Sequence, residues 1–363
     1  MQRRDFLHAT LAAALAAYTA PAAWARESKR APLFEIFGHL RSEPARVFVA
    51  GPPAAVLVAA LAPEKLLGWP SRMSDQARVM LSAPLAALPT VGRLGGRGSS
   101  ISTEALLALR PDVIVDVGSI DDYYRSQAQR TAQQTGIPYI LVDGRLPETA
   151  EQLRQLGAEL GVSERAQPLA AYAQQTLQQA QALRTQWQQQ PPRVYLARSA
   201  DGLETGWQGS INAELLEYLG AQNVAATHAQ TGEGGTGPAG NVGRVSFEQL
   251  LAWNPDLIVT QEAGLAQRLR ATPLWRSIKA VQTGQVLQAP HVPFGWLDAP
   301  PGPNRLMGLR WLTLALQDWR ASPSSAASET LQAQIEHEAQ TFYQLFYGMR
   351  NGAQWPAGAL PWA

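Results

Sequence analysis

Two stretches of the chain are near copies of each other. Residues 102–116 read STEALLALRPDVIVD and residues 246–260 read SFEQLLAWNPDLIVT, identical at nine of fifteen positions and 144 residues apart. A second pair follows the same order at nearly the same separation, Arg46-Val47-Phe48-Val49-Ala50 against Arg193-Val194-Tyr195-Leu196-Ala197. Two ordered matches mark a duplicated supersecondary unit, each copy about one lobe long. The chain is constrained to fold as two similar halves.

The local chemistry of each copy indicates what that unit is. Ser102 and Ser246 are N-cap candidates for helices running through Leu106-Leu107 and Leu250-Leu251. Pro111 and Pro255 stop those helices, because proline disfavours helical geometry in the residue before it. The runs that follow, Val113-Ile114-Val115 and Leu257-Ile258-Val259, are short and apolar at successive positions, the pattern of strands buried on both faces of a parallel sheet. Further strands are expected at Pro138–Val142 and Gln285–Gln288, each after a helical stretch. Alternating strands and helices imply α/β lobes of Rossmann type with mostly parallel sheets.

Between the copies, residues 163–192 are rich in Gln and Ala, lack Gly, and carry an apolar stripe of Leu169, Tyr172, Leu177 and Leu183. This composition predicts a helix from Pro168 to Gln190, about 35 Å at 1.5 Å per residue and long enough to join two lobes. Pro191-Pro192 closes it. The expected organisation is a leader over 1–25, a first lobe over 26–162, an interlobe helix over 163–192 and a second lobe over 193–363.

The leader has the order of an export signal: Arg3-Arg4, an Ala-rich apolar run from Ala9 to Ala20, and a small-x-small site at Ala23-Trp24-Ala25. Phe6-Leu7 after the arginine pair matches the twin-arginine signal, which carries folded cargo. The apolar run is poor for a membrane span, which needs about 20 strongly apolar residues. No cysteine occurs, which excludes disulfides and lipidation of an N-terminal Cys. A free periplasmic monomer is the expectation. Without the leader, 28 basic residues face 28 acidic ones, so the basic excess that nucleic-acid binding needs is missing.

Two α/β lobes joined by one long helix after an export signal resemble the periplasmic binding proteins that serve ABC importers of siderophores, haem and cobalamin. The motifs that carry the resemblance span the mature chain. They are Pro44-Ala45-Arg46-Val47, Leu61-Ala62-Pro63-Glu64-Lys65-Leu66-Leu67-Gly68, the paired Ser-x-Glu-x-Leu-Leu-Ala-x-x-Pro-Asp segments, Pro273-Leu274-Trp275 with Val281-x-x-Gly284-x-Val286, and Phe342-Tyr343-x-Leu345-Phe346-Tyr347. The resemblance implies a receptor that passes a ferric siderophore or related metal chelate to an ABC permease dimer in the inner membrane. It leaves haem, cobalamin, a free metal ion or an oxyanion as alternative ligands, and an exported enzyme on the same fold as the competing class. It also implies that Glu104 and Glu248, at the start of the repeated helix, pair with arginines on the permease. A carboxylate in a first helical turn is favoured by the helix dipole as well, and the two roles are compatible.

Ligands of open α/β sheets bind beyond the carboxyl ends of the strands. The loops there hold aromatic rings for flat apolar contact and arginines for carboxylate or catecholate oxygens. The candidates are Arg97, Tyr124, Arg125, Trp207, His291 and Trp296. Arg305, in a helix opened by Pro300-Pro301-Gly302-Pro303, could face either way. No resident cofactor is expected. After the leader, His39, His228, His291 and His337 are far apart, so no local ligand set exists for a bare metal, though His291 or His228 could complete the coordination of a chelated one. Gly232 to Gly237 meets the spacing of a dinucleotide loop, but Pro238-Ala239-Gly240 after it cannot open the required helix. No Gly-x-Ser-x-Gly or His-Glu-x-x-His occurs.

Overall fold

A computed structural model describes residues 32–40, 43–94, 99–187, 189–225, 242–321 and 325–349. The leader over 1–25, Arg97, His228 and the glycine-rich stretch 232–237 lie outside the described residues.

The first half contains β1 (Phe34–Phe37), β2 (Val47–Val49), α1 (Pro52–Leu61), α2 (Asp75–Met80), α3 (Ala83–Ala87), α4 (Thr103–Ala108), β3 (Val113–Gly118), α5 (Asp122–Thr135), β4 (Tyr139–Asp143) and α6 (Thr149–Glu159). Its sheet has the order β1-β4-β3-β2, parallel except for β1 at the edge. Helix α7 (Ser163–Gln186) leads out of it. The second half contains β5 (Arg193–Ala197), β6 (Glu204–Gly206), α8 (Glu214–Tyr218), β7 (Gln222–Asn223), β8 (Val242–Arg244), α9 (Phe247–Trp253), β9 (Leu257–Thr260), α10 (Leu265–Ala271), α11 (Lys279–Gln282), β10 (Val286–Gln288), α12 (Asn304–Ala321) and α13 (Ser325–Tyr347). Its main sheet is wholly parallel in the order β10-β9-β5-β7, and β6 and β8 form a small antiparallel pair.

The duplication read from sequence is a duplication of structure. β2 pairs β3 with Val47 opposite Val113, and β5 pairs β9 with Val194 opposite Leu257, so the two copies share one register. Ser102 and Ser246 cap α4 and α9, each hydroxyl accepting the backbone N–H three residues on. The residue before each proline leaves the helix for the left-handed region, Arg110 at φ 47° and Asn254 at φ 41°. The arginine that opens each first strand explains the rest of the motif. Arg46 donates to the carbonyls of Leu109 and Arg110, and Arg193 to those of Trp253 and Asn254, satisfying the orphan acceptors at the helix end. Asp112 and Asp256 in turn accept the backbone N–H of Arg46 and Arg193. The arginine and the Pro-Asp pair are two ends of one clasp.

Helix α7 starts at Ser163 and ends at Gln186, short of the expected Gln190, and tolerates Pro168 on its exposed side. Its 24 residues rise about 36 Å. Leu169, Ala173, Leu177, Ala180 and Leu183 form its buried stripe. That stripe enters a core that also takes Val47, Val49, Val113 and Val115 from the first sheet and Val194, Leu196, Leu257 and Val259 from the second. The opposite faces of the sheets have separate cores, around Phe48, Ile114 and Tyr139 in the first half and Tyr195, Ile258 and Trp275 in the second. Strands apolar at every position are therefore buried on both sides, as a parallel sheet requires. The chain's last described helix, α13, returns to α7. Arg165 donates to the carbonyls of Leu345, Phe346 and, on α1, Ala60, and Tyr172 packs its ring on Phe342 and Phe346. No helix among the described residues is long and apolar enough to cross a membrane.

Candidate functional site

The carboxyl ends of the strands open into two cavities, each walled from both halves. The first, about 230 Å³, lies between the start of α1 with the segment Trp69–Ala77 and the loop His291–Pro300. Its walls are apolar: Pro52, Ala55, Val56, Trp69, Met73 and Phe294. Trp69 is fixed by an Nε1–H donated to the Leu85 carbonyl at 2.9 Å and by Phe294, whose ring centroid lies 5.8 Å away. Phe294 is backed by Tyr347 at 4.9 Å. Arg72 and His291 stand exposed at the rim, with Ser71 and Ser74 beside them.

The second cavity, about 390 Å³, joins the ends of β3 and β4 to the region before and within α8. Its lining is acidic, with Asp143, Glu214 and Glu217 against Arg145. Arg145 is engaged to Asp143 at 2.7 Å. Burial pushes the Glu217 carboxyl up, although the Gly209 N–H donates to it. Behind this cavity lies Arg305, 2% exposed. It donates to Glu214 Oε2 at 2.8 Å and to the Gly144 carbonyl at 2.5 Å, while Glu214 Oε2 also accepts the Leu146 N–H at 3.0 Å. Burial pulls the Arg305 guanidinium below its usual pKa and Glu214 opposes that pull. Arg305, open in direction from sequence, points inward and bolts the loop after β4 to α8 and α12.

A third polar cluster sits at the ends of β5 and β9. Asp298 accepts from Arg198 at 2.5 Å and from Asn212 and Gln261. Burial works against the charge of Arg198, but Asp298 and Glu204 outweigh it and raise its pKa.

The structure places the residues expected from sequence unevenly. His291 is at the rim of the apolar cavity. Tyr124 lies against Gly118, where a Cβ would come within 2.8 Å of the ring, so a larger residue there would have to displace the tyrosine; burial pushes its hydroxyl up to about 12. Arg125 is held by Glu35 on β1, with Nε–O distances of 2.9 and 3.0 Å, and faces the sheet edge. Trp207 is buried in the outer core of the second half, over Gly243. Trp296 is 0% exposed, a core residue and not a loop contact: its Nε1–H donates to Tyr343 Oη at 3.0 Å and its ring packs on Trp311. Glu104 and Glu248 are exposed at the second position of α4 and α9, their carboxyls held below the usual range by backbone N–H groups and by Ser102 and Ser246.

Sequence reasoning missed Trp69, Arg72, Phe294 and Arg145. Leu66 bridges to Val47 beside the sheet edge, so the loop after it opens on the same side, a placement set by long-range pairing that the local sequence does not mark. Among the described residues no group of three His, Asp or Glu is arranged to hold a metal ion.

A family model described as "Periplasmic binding protein" matches residues 76–293. The molybdate-binding protein MolA of Haemophilus influenzae is 26% identical over 283 residues, covering 70% of this chain and 74% of that protein. Among solved structures, an ABC transporter solute binding protein from Sulfurospirillum deleyianum superposes with a TM-score of 0.73 at 26% identity, over 86% of this chain and 92% of that one. The periplasmic vitamin B12 binding protein BtuF of Vibrio cholerae does so with a TM-score of 0.55 at 24% identity, over 76% and 98%.

Proposed function

The chain belongs to the periplasmic binding protein family and serves an ABC transporter, and from that premise we propose that it captures a ferric siderophore or related metal chelate between its halves for delivery to the permease. The observation that carries the ligand class is the cavity with apolar, aromatic walls and a cationic rim. Trp69, Met73 and Phe294 suit the flat apolar face of a chelate, and Arg72 suits its carboxylate or catecholate oxygens. His291 stands where an imidazole could complete the coordination of the chelated metal. The acid-lined second cavity disfavours an anion, which supports the first as the ligand site. Export of the folded chain by the twin-arginine leader, and docking through Glu104 and Glu248, are part of the same proposal.

A second reading, a bare oxyanion, is favoured by the relative named for molybdate. Its difficulty is physical: an oxyanion needs a surrounding shell of hydrogen-bond donors, and here the donor side chains Ser71, Arg72, Ser74 and His291 stand at the rim while the walls are apolar. Tryptophan fluorescence titration with a panel of ferric siderophores, haem and cobalamin, beside molybdate, separates the two. Saturable quenching by a chelate, weakened about tenfold or more by Arg72→Ala, supports the first reading. Silence towards every chelate, together with thermal stabilisation by molybdate alone, overturns it.

A further inference from the structure

We propose that Leu107 and Leu251 are paired apolar anchors of the docking face, each seated in a hydrophobic depression beside a basic site on one of two equivalent permease subunits. The inference rests on the reading that the chain docks an ABC permease through Glu104 and Glu248.

The repeat carries a Leu-Leu doublet in each copy, and the fold consumes only the first leucine of each. Leu106 and Leu250 are fully buried and hold α4 and α9 on their sheets. The second leucines turn outward, Leu107 44% exposed and Leu251 43% exposed. Large exposed hydrophobic side chains are few among the described residues: Ile36, Val79, Leu107, Tyr123, Leu251 and Leu274. Leu107 and Leu251 occupy equivalent positions of the repeat, 144 residues apart, and no other two of the six do. Nearly half of each side chain is left in solvent by the fold, yet both copies have a leucine there.

Each leucine lies three residues after the exposed glutamate, a spacing that puts the two side chains on one helix face. The glutamates make no ion pair with a cationic side chain among the described residues, and their carboxyls are held in the charged form. The same small surface, one carboxylate beside one leucine, is thus presented twice. Its complement is a partner that offers a cation next to an apolar depression, also twice, which is what a permease of two equivalent subunits provides. In such an interface the carboxylate steers and orients, while the desolvated leucine sets how long the complex lasts.

The test uses the full mature chain, free of ligand, and its cognate permease reconstituted in lipid nanodiscs, with affinity measured at low and high salt. Leu107→Gln with Leu251→Gln should weaken binding about tenfold or more at both salt concentrations and leave the salt dependence unchanged. Each single change should cost a similar share. Glu104→Gln with Glu248→Gln should weaken binding and flatten the salt dependence, and Leu274→Gln should do nothing. A leucine pair without effect, beside a glutamate pair that loses binding, overturns the anchors and spares the docking reading. If neither pair matters, the docking reading fails and the anchors fall with it. Should the glutamine variants melt early, Leu107→Ala with Leu251→Ala, which keeps helix propensity, takes their place with the same expected loss of affinity.

Discussion

Replacing Arg305 by methionine should cost the protein about 3 kcal/mol of stability. The guanidinium is enclosed by α8, α12 and the loop after β4, and it makes two hydrogen bonds, to Glu214 and to the Gly144 carbonyl. Removing one partner of a buried ion pair costs about 3–5 kcal/mol, because the other charge is left without compensation. The lower end applies because Glu214 retains the Leu146 N–H and is one-fifth exposed, and because methionine keeps most of the apolar stem packing. The pair is nonetheless a poor net stabiliser: burial draws the Arg305 pKa down against the pull of Glu214. Taking away both charges, with Arg305→Met and Glu214→Gln together, should therefore cost only about 1 kcal/mol, less than Arg305→Met alone. Urea unfolding of the four proteins of this cycle at neutral pH gives each free energy. An Arg305→Met loss below about 1 kcal/mol, or a double variant less stable than Arg305→Met alone, would refute the reasoning.

Two further outcomes follow from the caps and from the buried acid of the first half. Ser102→Ala and Ser246→Ala should each lower stability by about 1 kcal/mol in urea unfolding and let the neighbouring glutamate titrate closer to its ordinary value, since the hydroxyl both caps the helix and bonds the carboxylate; unchanged titration by NMR would contradict this. Asp116 is held above its ordinary pKa by burial, although Tyr139 Oη donates to it at 2.8 Å. With the folded value raised, its contribution to stability is full below the unfolded pKa and is lost as pH rises through the folded one. Asp116→Asn should gain on the wild type over that rise and lose the advantage at the acid end; a difference constant with pH would contradict it.

What was legible in the sequence is what local chemistry determines. The strands, the caps at Ser102 and Ser246, and the stops before Pro111 and Pro255 are all short-range, and each occurs twice in the repeat. The Arg46 and Arg193 clasp is legible afterwards for the same reason, since arginine and Pro-Asp recur together in both copies. The site was less legible because its residues are sorted by long-range packing. His291 and Trp296 sit five residues apart in one loop, yet one reaches the rim and the other vanishes beneath Tyr343, 47 residues further along the chain. Nothing within the loop distinguishes an aromatic that faces a ligand from one that meets a later helix. Arg125 was drawn away in the same manner, by Glu35 on an edge strand that the repeat does not contain.

The division between repeated and unrepeated segments has a functional side. The repeat builds the two sheets, the α4 and α9 faces, and the acid–leucine pair on each. Its surfaces are equivalent, and they suit a partner that is itself doubled. The unrepeated segments do something else. α7, α12 and α13 fill the space between the inner faces of the sheets and merge them into one core, with Trp296, Trp311 and Phe342 alongside Val115 and Val259. A core continuous across both halves resists a wide hinge motion, because separating the sheets would expose apolar surface at about 25 cal/mol for each Å². Adaptation to a ligand would then fall to the loops at the strand ends, and those of the apolar cavity, Trp69–Ser74 and His291–Pro300, are again unrepeated. On the proposed function, symmetry is kept where the protein would meet a doubled partner, and it is broken where one asymmetric ligand would be recognised. Substitutions confined to Arg72, Met73 and His291 should accordingly alter which ligand is held and leave the docking faces as they are.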